Sequence, residues 1–161
     1  MPSIVPIPKC GEVKIEDLVN GEGSVEMHNS HKCKDCGYTG TNSRMQFYST
    51  SKFFNVYIKR IQYDQNNRTK LNTKVSFTKK LDIRVPNPDD EKLEYIINYE
   101  LISFVNHLGA DATSGQYVAI LKSVEDWELH DDEYISTLNR EAVFSGHTFE
   151  NVYLLTYRRL D

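Results

Sequence analysis

Two cysteines, and further along the chain a histidine and two aspartates, are the residues whose types and spacing could do chemistry. Cys33 and Cys36 form a Cys-x-x-Cys pair, which places two thiols in one tight turn where they can hold a metal ion. Tetrahedral zinc needs four ligands, and the sequence has no second pair of this kind. His28 and His31 lie nearby, whereas Cys10 is distant. The pair is therefore half of a zinc site with ligands from elsewhere, an empty half-site, or a redox pair.

The second group combines a histidine, a loop bounded by glycines and two carboxylates. His107 precedes a loop that runs from Gly109 to Gly115, and Asp131 and Asp132 end a later strand. In this arrangement His107 is a candidate general base, and Asp131 is the carboxylate that would orient its ring. The alternative is structural: a histidine at the edge of the core, and a carboxylate that caps a helix.

Strands must position both groups. Phe54, Val56 and Ile58 alternate with polar residues, which is typical of a half-buried strand. Residues 95–107 are apolar on both faces, as in a central strand that is covered on both sides. Further strands are expected at 44–48, 73–77, 81–85, 117–121, 126–129 and 152–157, with a short helix within 12–19 and a short helical or turn segment at 131–138. The pattern predicts one α+β domain over 1–161, mainly an antiparallel β-sheet with short helices.

Charge, hydropathy and cysteine count exclude several classes of function. A net charge of −4 argues against binding to a nucleic-acid backbone, which needs a basic face. No apolar run approaches the roughly 18–20 residues of a membrane helix, and the first ten residues lack the pattern of a secretory signal. Three cysteines do not make a disulfide framework. We expect an intracellular protein, cytoplasmic or nuclear, with no nucleic-acid or membrane partner.

Four blocks of residues, taken in order, carry a family resemblance. They are IVPIPK at 4–9 with VKIEDL at 13–18, HKCKDC at 31–36, FNVYIKRI at 54–61 with TKVSFT at 73–78, and YELISFVNHLG at 99–109 with SGQY at 114–117, WELHDD at 127–132 and VYLLTYRR at 152–159. In this order they resemble the C-terminal half of the catalytic domain of the ubiquitin-specific proteases, a family of cysteine deubiquitinases. The resemblance implies a palm-and-fingers fragment of the papain-like cysteine protease superfamily.

The chain departs from the family at its catalytic positions. The Gly-Asn-Thr-Cys core that carries the family's nucleophile is absent, and the context of Cys10 does not match it. The family's base, the histidine of a Gly-His-Tyr motif, maps onto Gln116, which has no titratable nitrogen. The orienting position maps onto Asp131, with Asp132 beside it, while His107 matches a family histidine that is not the base. The resemblance therefore implies a pseudoenzyme.

A catalytically inactive domain of this family is expected to act by binding, as an interaction or scaffold module. The resemblance implies ubiquitin or a ubiquitin-like modifier as partner, with a channel for the modifier's tail bordered by His107, Gly109, Gly115 and Tyr117. It also makes the thiols at 33 and 36 half of a family zinc site, with no other cofactor. The alternatives are a subunit of a larger assembly that does not bind ubiquitin, and an active hydrolase completed by another chain or a missing N-terminal segment.

Association with another chain is a further expectation from the sequence. Half of a catalytic domain leaves sheet edges and apolar faces without their usual cover, and such surfaces favour self-association or a partner. The large apolar residues expected to need cover are Phe54, Val56, Ile58, Leu101, Val105, Ile120 and Leu154. The sequence therefore predicts a homodimer or a tight complex with another protein.

Overall fold

A large mixed β-sheet dominates the computed structural model, which describes residues 3–21, 26–43, 47–64, 67–111 and 113–161. The elements in chain order are β1 (Ser3–Pro6), β2 (Glu12–Lys14), α1 (Ile15–Val19), β3 (Glu26–Lys32), β4 (Thr39–Ser43), β5 (Phe53–Lys59), β6 (Ile61–Asp64), β7 (Asn67–Lys70), β8 (Lys74–Ser76), β9 (Lys80–Asn87), β10 (Asp90–Leu108), β11 (Gln116–Lys122), β12 (Trp127–Asp131), β13 (Tyr134–Leu138), α2 (Arg140–Val143), α3 (Gly146–Asn151) and β14 (Val152–Arg159). None of these helices is long and apolar enough to cross a membrane.

The eight-stranded sheet has the order β1-β5-β14-β10-β11-β12-β13, and β9 pairs with the first half of β10. Every pair in it is antiparallel except β1 with β5. Three small sheets accompany it, formed by β2 with β8, β3 with β4, and β6 with β7. The predicted mainly antiparallel sheet with short helices is therefore confirmed.

The core covers one face of the large sheet. Register pairs align Val56, Leu155, Phe104, Ile120 and Leu129 across five neighbouring strands, and this row is buried or half-buried. The loop between β8 and β9 and the helices α2 and α3 supply the aromatic rings that pack on this face. The chain thus builds a core of its own over that side of the sheet.

Most of the apolar residues that were expected to need an external cover are buried within the chain. Five of the seven are at most 7% exposed: Phe54, Val56, Ile58, Leu101 and Ile120. Val105 and Leu154 are opposite each other in the register and lie half-buried on the other face. The physical reason for association is therefore confined to that second face, which we call the outer face, and to the sheet edges.

Three local expectations differ from the structure. Residues 134–138 form a strand rather than the expected helical or turn segment, because tyrosine, isoleucine and threonine favour a pleated strand once the turn at 132–133 is made. Strand β9 continues through Pro86, which an edge strand tolerates. The first half of β10 is not a covered central strand, since Tyr95 and Ile96 are exposed. The strand expected at 44–48 lies partly outside the described residues.

Arg60 is a fully buried cation between β5 and β6. Its Nε donates a hydrogen bond to the Val152 carbonyl at 2.5 Å, and its Nη1 donates to the carbonyls of Leu71 at 3.0 Å and Thr73 at 2.7 Å. Its Nη2 donates to the Phe149 carbonyl at 2.7 Å. Burial lowers the pKa of Arg60 to about 10, so the side chain stays charged at neutral pH. One guanidinium thereby holds three chain segments together.

We expect Arg60→Met to lower the free energy of unfolding by at least about 3 kcal/mol, because three buried carbonyl groups and one part-buried carbonyl group lose their donor. Arg60→Lys should recover only part of the loss, since one ammonium cannot span carbonyls that the planar fork reaches on several sides. Urea unfolding measures the change. Lys59→Met, at the exposed neighbouring position, is the control and should stay within about 0.5 kcal/mol of wild type. A wild-type midpoint for Arg60→Met would contradict this role.

Candidate functional site

Gln116 and Asp131, the positions that sequence analysis singled out as base and orienting residue, contact each other. Gln116 begins β11 and Asp131 ends β12, so the antiparallel pairing of these strands brings them together. The Nε2 of Gln116 donates to both carboxylate oxygens of Asp131, at 3.2 Å and 3.0 Å. Asp132 does not join the pair, because it lies in the two-residue turn to β13 with a φ of 52°. The carboxylate thus orients an amide.

The loop that precedes Gln116 is closed by two glycines in direct contact. A Cβ on Gly109 would lie 2.2 Å from the Ser114 carbonyl oxygen, and one on Gly115 would lie 2.4 Å from that of Leu108. Gly115 also has a φ of +125°, which disfavours any other residue. Since this approach fixes the start of β11, both glycines position Gln116.

Asp111 organises the described part of the same loop. Its Oδ1 accepts hydrogen bonds from the backbone N–H groups and the hydroxyls of Thr113, at 2.7 and 2.8 Å, and Ser114, at 2.8 and 3.0 Å. These bonds favour the carboxylate and lower the pKa of Asp111 to about 2. The loop is therefore held in shape by its own side chains at neutral pH.

His107 and Tyr117 are opposite each other in the β10–β11 register, and their rings pack at a tilt on the outer face with centroids 4.8 Å apart. Tyr153 packs against Tyr117 at 5.3 Å, and its hydroxyl lies 2.5 Å from that of Tyr57. Burial raises the pKa of Tyr153, and the hydroxyl of Tyr57 adds to that effect. We call these four residues the aromatic cluster. Tyr117 is its exposed member, with 52% of its surface accessible.

Lys70 connects this region to α3. Its Nζ donates to the carbonyls of His107 at 2.8 Å and Gly109 at 2.7 Å, and to the Oδ1 of Asn151 at 3.1 Å. Burial of His107 and the charge of Lys70 lower the pKa of His107, so its ring is neutral at pH 7. A neutral ring that packs on tyrosines supports the structural interpretation of His107.

The Gln116–Asp131 pair and the aromatic cluster lie on opposite faces of the sheet. Successive residues of a strand point to opposite sides, so the side chain of Gln116 extends on the core side while Tyr117 and His107 lie on the outer face. His130 is also on the outer face, where its Nε2 lies 3.4 Å from Glu128. His107 therefore lies on the opposite side of the sheet from the Gln116–Asp131 pair.

The Cys33–Cys36 pair lies in the turn between β3 and β4. The turn is closed by hydrogen bonds from the Cys33 N–H to the Tyr38 carbonyl at 2.8 Å and from the Gly37 N–H to the Cys33 carbonyl at 3.0 Å. The backbone N–H of Cys36, and after it that of Asp35, lowers the pKa of the Cys33 thiol. A turn that stabilises a thiolate fits a metal ligand.

Within the described residues, the donor set around these thiols is nevertheless incomplete. In the part of the chain that the structure describes, no group of three or more His, Cys, Asp or Glu residues could hold a metal ion. Cys10 is exposed in a separate segment, and the side chains of His28 and His31 lie outside the described residues. The pair supplies two of the four ligands that tetrahedral zinc requires.

Comparison with known proteins identifies the family of this arrangement. The family described as ubiquitin carboxyl-terminal hydrolase matches residues 10–157. The chain belongs to this family. Ubiquitin carboxyl-terminal hydrolase 12 of Salmo salar is 29% identical over 140 residues, which cover 80% of this chain and 37% of that protein. Ubiquitin carboxyl-terminal hydrolase 10 of Saccharomyces cerevisiae is 31% identical over 106 residues, or 65% of this chain and 13% of that protein.

Solved structures agree on the fold. The SAGA Ubp8/Sgf11/Sus1/Sgf73 DUB module bound to ubiquitin aldehyde contains a chain that matches with a TM-score of 0.79 and 22% identity, over 99% of this chain and 36% of that one. Another structure of the SAGA Ubp8/Sgf11/Sus1/Sgf73 DUB module contains a chain that matches with a TM-score of 0.72 and 20% identity, over 99% of this chain and 33% of that one. This chain thus spans about a third of each chain that it matches. It has the fold of a fragment of the family's catalytic domain.

Sequence reasoning missed several residues that shape the site. Arg60 continues the alternation of Phe54, Val56 and Ile58, so the pattern already placed it on the buried face, where a cation signals a special role. Lys70, Tyr57 and Tyr153 carried no such signal, because a lysine or tyrosine in a half-exposed strand is ordinary.

We expect Gly115→Ala and Gly109→Ala to destabilise the chain strongly, because each added methyl group would overlap a backbone carbonyl. Gly146→Ala is the matched control, since a Cβ there meets nothing within 4 Å. Thermal unfolding should leave the control at or slightly above the wild-type melting temperature and lower that of both test variants by several degrees. Equal melting temperatures in all three variants would show that the loop can open without cost.

We propose that the isolated chain binds less than one equivalent of zinc, because Cys33 and Cys36 provide only half of a tetrahedral site. Elemental analysis after dialysis against a weak chelator measures the content. One tightly held zinc ion per chain that is lost in Cys33→Ser, but retained in Cys10→Ser, would contradict the proposal. It would indicate ligands from the histidines at 28 and 31 or from another molecule.

Proposed function

We propose that this chain is a catalytically inactive deubiquitinase-like domain that works by binding ubiquitin or a ubiquitin-like modifier. Membership of the ubiquitin carboxyl-terminal hydrolase family supports the modifier as partner. The single observation that carries the inactivity is the pairing of Gln116 with Asp131 at the position of the family's histidine–carboxylate pair. A carboxylate orients the side chain at position 116, but that side chain is an amide.

The chemistry of an amide supports the absence of catalysis. The Gln116 Nε2 donates hydrogen bonds and has no basic lone pair, so it can neither take a proton from a thiol nor return one to a leaving amine. The chain also lacks the Gly-Asn-Thr-Cys sequence of the family's nucleophile. Its thiols at 33 and 36 belong to a separate hairpin. Two of the three triad roles are thus without a residue, and only Asp131 is retained.

The surface proposed for the modifier lies around the loop between β10 and β11. Gly109 and Gly115 close that loop at its base, and Tyr117 presents an exposed ring beside it. The buried ring of His107 packs against the Tyr117 ring. An exposed aromatic ring on a rigid support is a favourable anchor for a binding partner, because little side-chain entropy is lost on contact. This arrangement supports a role for Tyr117 in contacting the modifier's tail, with His107 as the buried residue that holds the Tyr117 ring in place.

A second candidate is a subunit that contacts other proteins independently of ubiquitin. A structural relative is one component of the SAGA Ubp8/Sgf11/Sus1/Sgf73 DUB module. The outer face of this chain carries exposed apolar residues, among them Ile4, Leu121 and Ile135. The third candidate, a hydrolase completed by another chain or a further segment, needs both a thiol and a base from elsewhere.

The purified chain is expected to show no turnover of a fluorogenic ubiquitin substrate and to bind monoubiquitin in solution. Tyr117→Ala should weaken binding at least about tenfold, because it removes the proposed anchor. Tyr63→Ala, which removes a ring that is 70% exposed on the β6–β7 hairpin, is the matched control and should bind as wild type does. Isothermal titration calorimetry measures the affinity of wild type and of both variants for monoubiquitin.

Gln116→His tests the proposed catalytic inactivity independently of the proposed binding. It should restore no turnover, because a base without a nucleophile has nothing to deprotonate. Turnover that co-purifies with the wild-type chain would contradict inactivity. Absence of binding would favour the second candidate, and equal losses in Tyr117→Ala and Tyr63→Ala would place the contact elsewhere.

A further inference from the structure

Strand β13 forms an unprotected edge of the large sheet. It pairs with β12 on one side, and it is the last strand in the sheet order. Its sequence YISTL contains no charge and no proline, which are the residues that normally keep an edge from pairing. Tyr134 is 81% exposed and Ile135 is 64% exposed. This strand is a template for another strand.

The alternation of hydrogen bonds identifies the backbone groups that point outward. The Ser123 N–H donates to the Asp126 carbonyl at 2.9 Å, which fixes the pairs of the β11–β12 ladder that are hydrogen-bonded. Glu128 and His130 then bond toward β11, so Trp127, Leu129 and Asp131 bond toward β13. Their partners on β13 are Leu138, Ser136 and Tyr134.

Ile135 and Thr137 therefore direct their N–H and carbonyl groups away from the sheet. Among the residues that the structure describes, nothing else hydrogen-bonds to these groups. Two donors and two acceptors, spaced two residues apart, are the repeat that an antiparallel strand requires. The edge thus offers a complete ladder unit to a partner.

We propose that β13 pairs antiparallel with β13 of a second copy of this chain, with Ser136 opposite Ser136. In this register Ile135 of one copy faces Thr137 of the other, so both outward-directed residues meet an outward-directed partner. The twofold axis makes the contact self-complementary and closed. The two sheets then form one continuous sheet, with both outer faces on the same side.

The side chains flanking β13 favour a second copy over an unrelated strand. The same register places Tyr134 opposite the half-buried Leu138 of the other copy. It brings the turn formed by Asp132 and Glu133 to the end of the opposing strand, where Arg140 lies. All three charged side chains are exposed, and Arg140 forms no ion pair within the described part of the chain. Opposite charges therefore meet at both ends of the contact.

This contact does not depend on the proposed binding of ubiquitin. Tyr117 lies in β11, and the loop that precedes Gln116 connects β10 to β11. Strand β12 lies between β11 and the edge strand β13. A contact limited to one strand per copy is small, so we expect a weak, concentration-dependent dimer.

Sedimentation velocity at concentrations from low to high micromolar tests the proposal. Wild type is expected to shift from monomer to dimer as its concentration rises. Ile135→Lys should weaken the dimer at least about tenfold, because it places like charges across the axis, as natural edges do. Ile4→Lys is the matched control, since Ile4 is 57% exposed on β1, at the other edge of the sheet. It should dimerise as wild type does.

A second variant addresses the backbone. Thr137→Pro removes one outward N–H, and it leaves the ladder to β12 intact because that ladder uses the neighbouring residues. It should weaken the dimer while circular dichroism still shows a folded chain. If that variant does not fold, the charge-exchange experiment decides the question.

The charge-exchange experiment uses two variants that should each fail to dimerise alone. In a homodimer of the first variant, Arg140→Glu would face the acidic turn of the other copy. In a homodimer of the second variant, Asp132→Asn combined with Glu133→Arg would face Arg140 of the other copy. Mixed in equal amounts, they should form a heterodimer, because both ends then carry opposite charges. A wild type that stays monomeric throughout, a dimer unaffected by Ile135→Lys, or no heterodimer in the mixture would overturn the proposal.

Discussion

The buried guanidinium of Arg60 is the constraint on which the rest of the fold depends. A charge that is removed from water needs acceptors for its donors, and here backbone carbonyls rather than carboxylates accept four of the five guanidinium N–H groups. Those carbonyls lie in the segment after β7 and at the junction of α3 with β14. Burying Arg60 therefore requires these segments to converge, and their convergence places β14 beside β5. The same junction supplies Asn151, which Lys70 uses to hold the end of β10.

The strands were predictable where one face is buried and the other is not. The alternation in β5, β11 and β14 follows from a sheet whose core covers one side, and a period of two in the sequence reports that directly. β13 was not predictable in this way, because all its side chains are half-buried or exposed and no alternation exists. The acidic residues before it are compatible with a helix start or a turn, and in the structure they form the turn to an edge strand.

One part of the candidate site was also predictable from the sequence, and the other part was not. The contact between Gln116 and Asp131 could be anticipated, since motif order implies adjacent antiparallel strands and the two positions then meet at one end. The aromatic cluster could not, because it depends on a shift of register between β10 and β14 that places Tyr153 on the outer face. Irregularities of this kind arise from packing between strands distant in sequence, which no local pattern reports.

The position of β14 between β5 and β10 has a consequence for the synthesis of the chain. β14 follows every other strand in sequence, yet it lies in the interior of the sheet, and the bond from Arg60 to Val152 spans 92 residues. While the ribosome is still adding α3, β5 and the second half of β10 each present an open edge toward the missing strand. Such contacts between distant residues form slowly, and exposed edges invite aggregation during that interval. A chain released before β14 would keep both edges open, which makes it a substrate for chaperones and proteases.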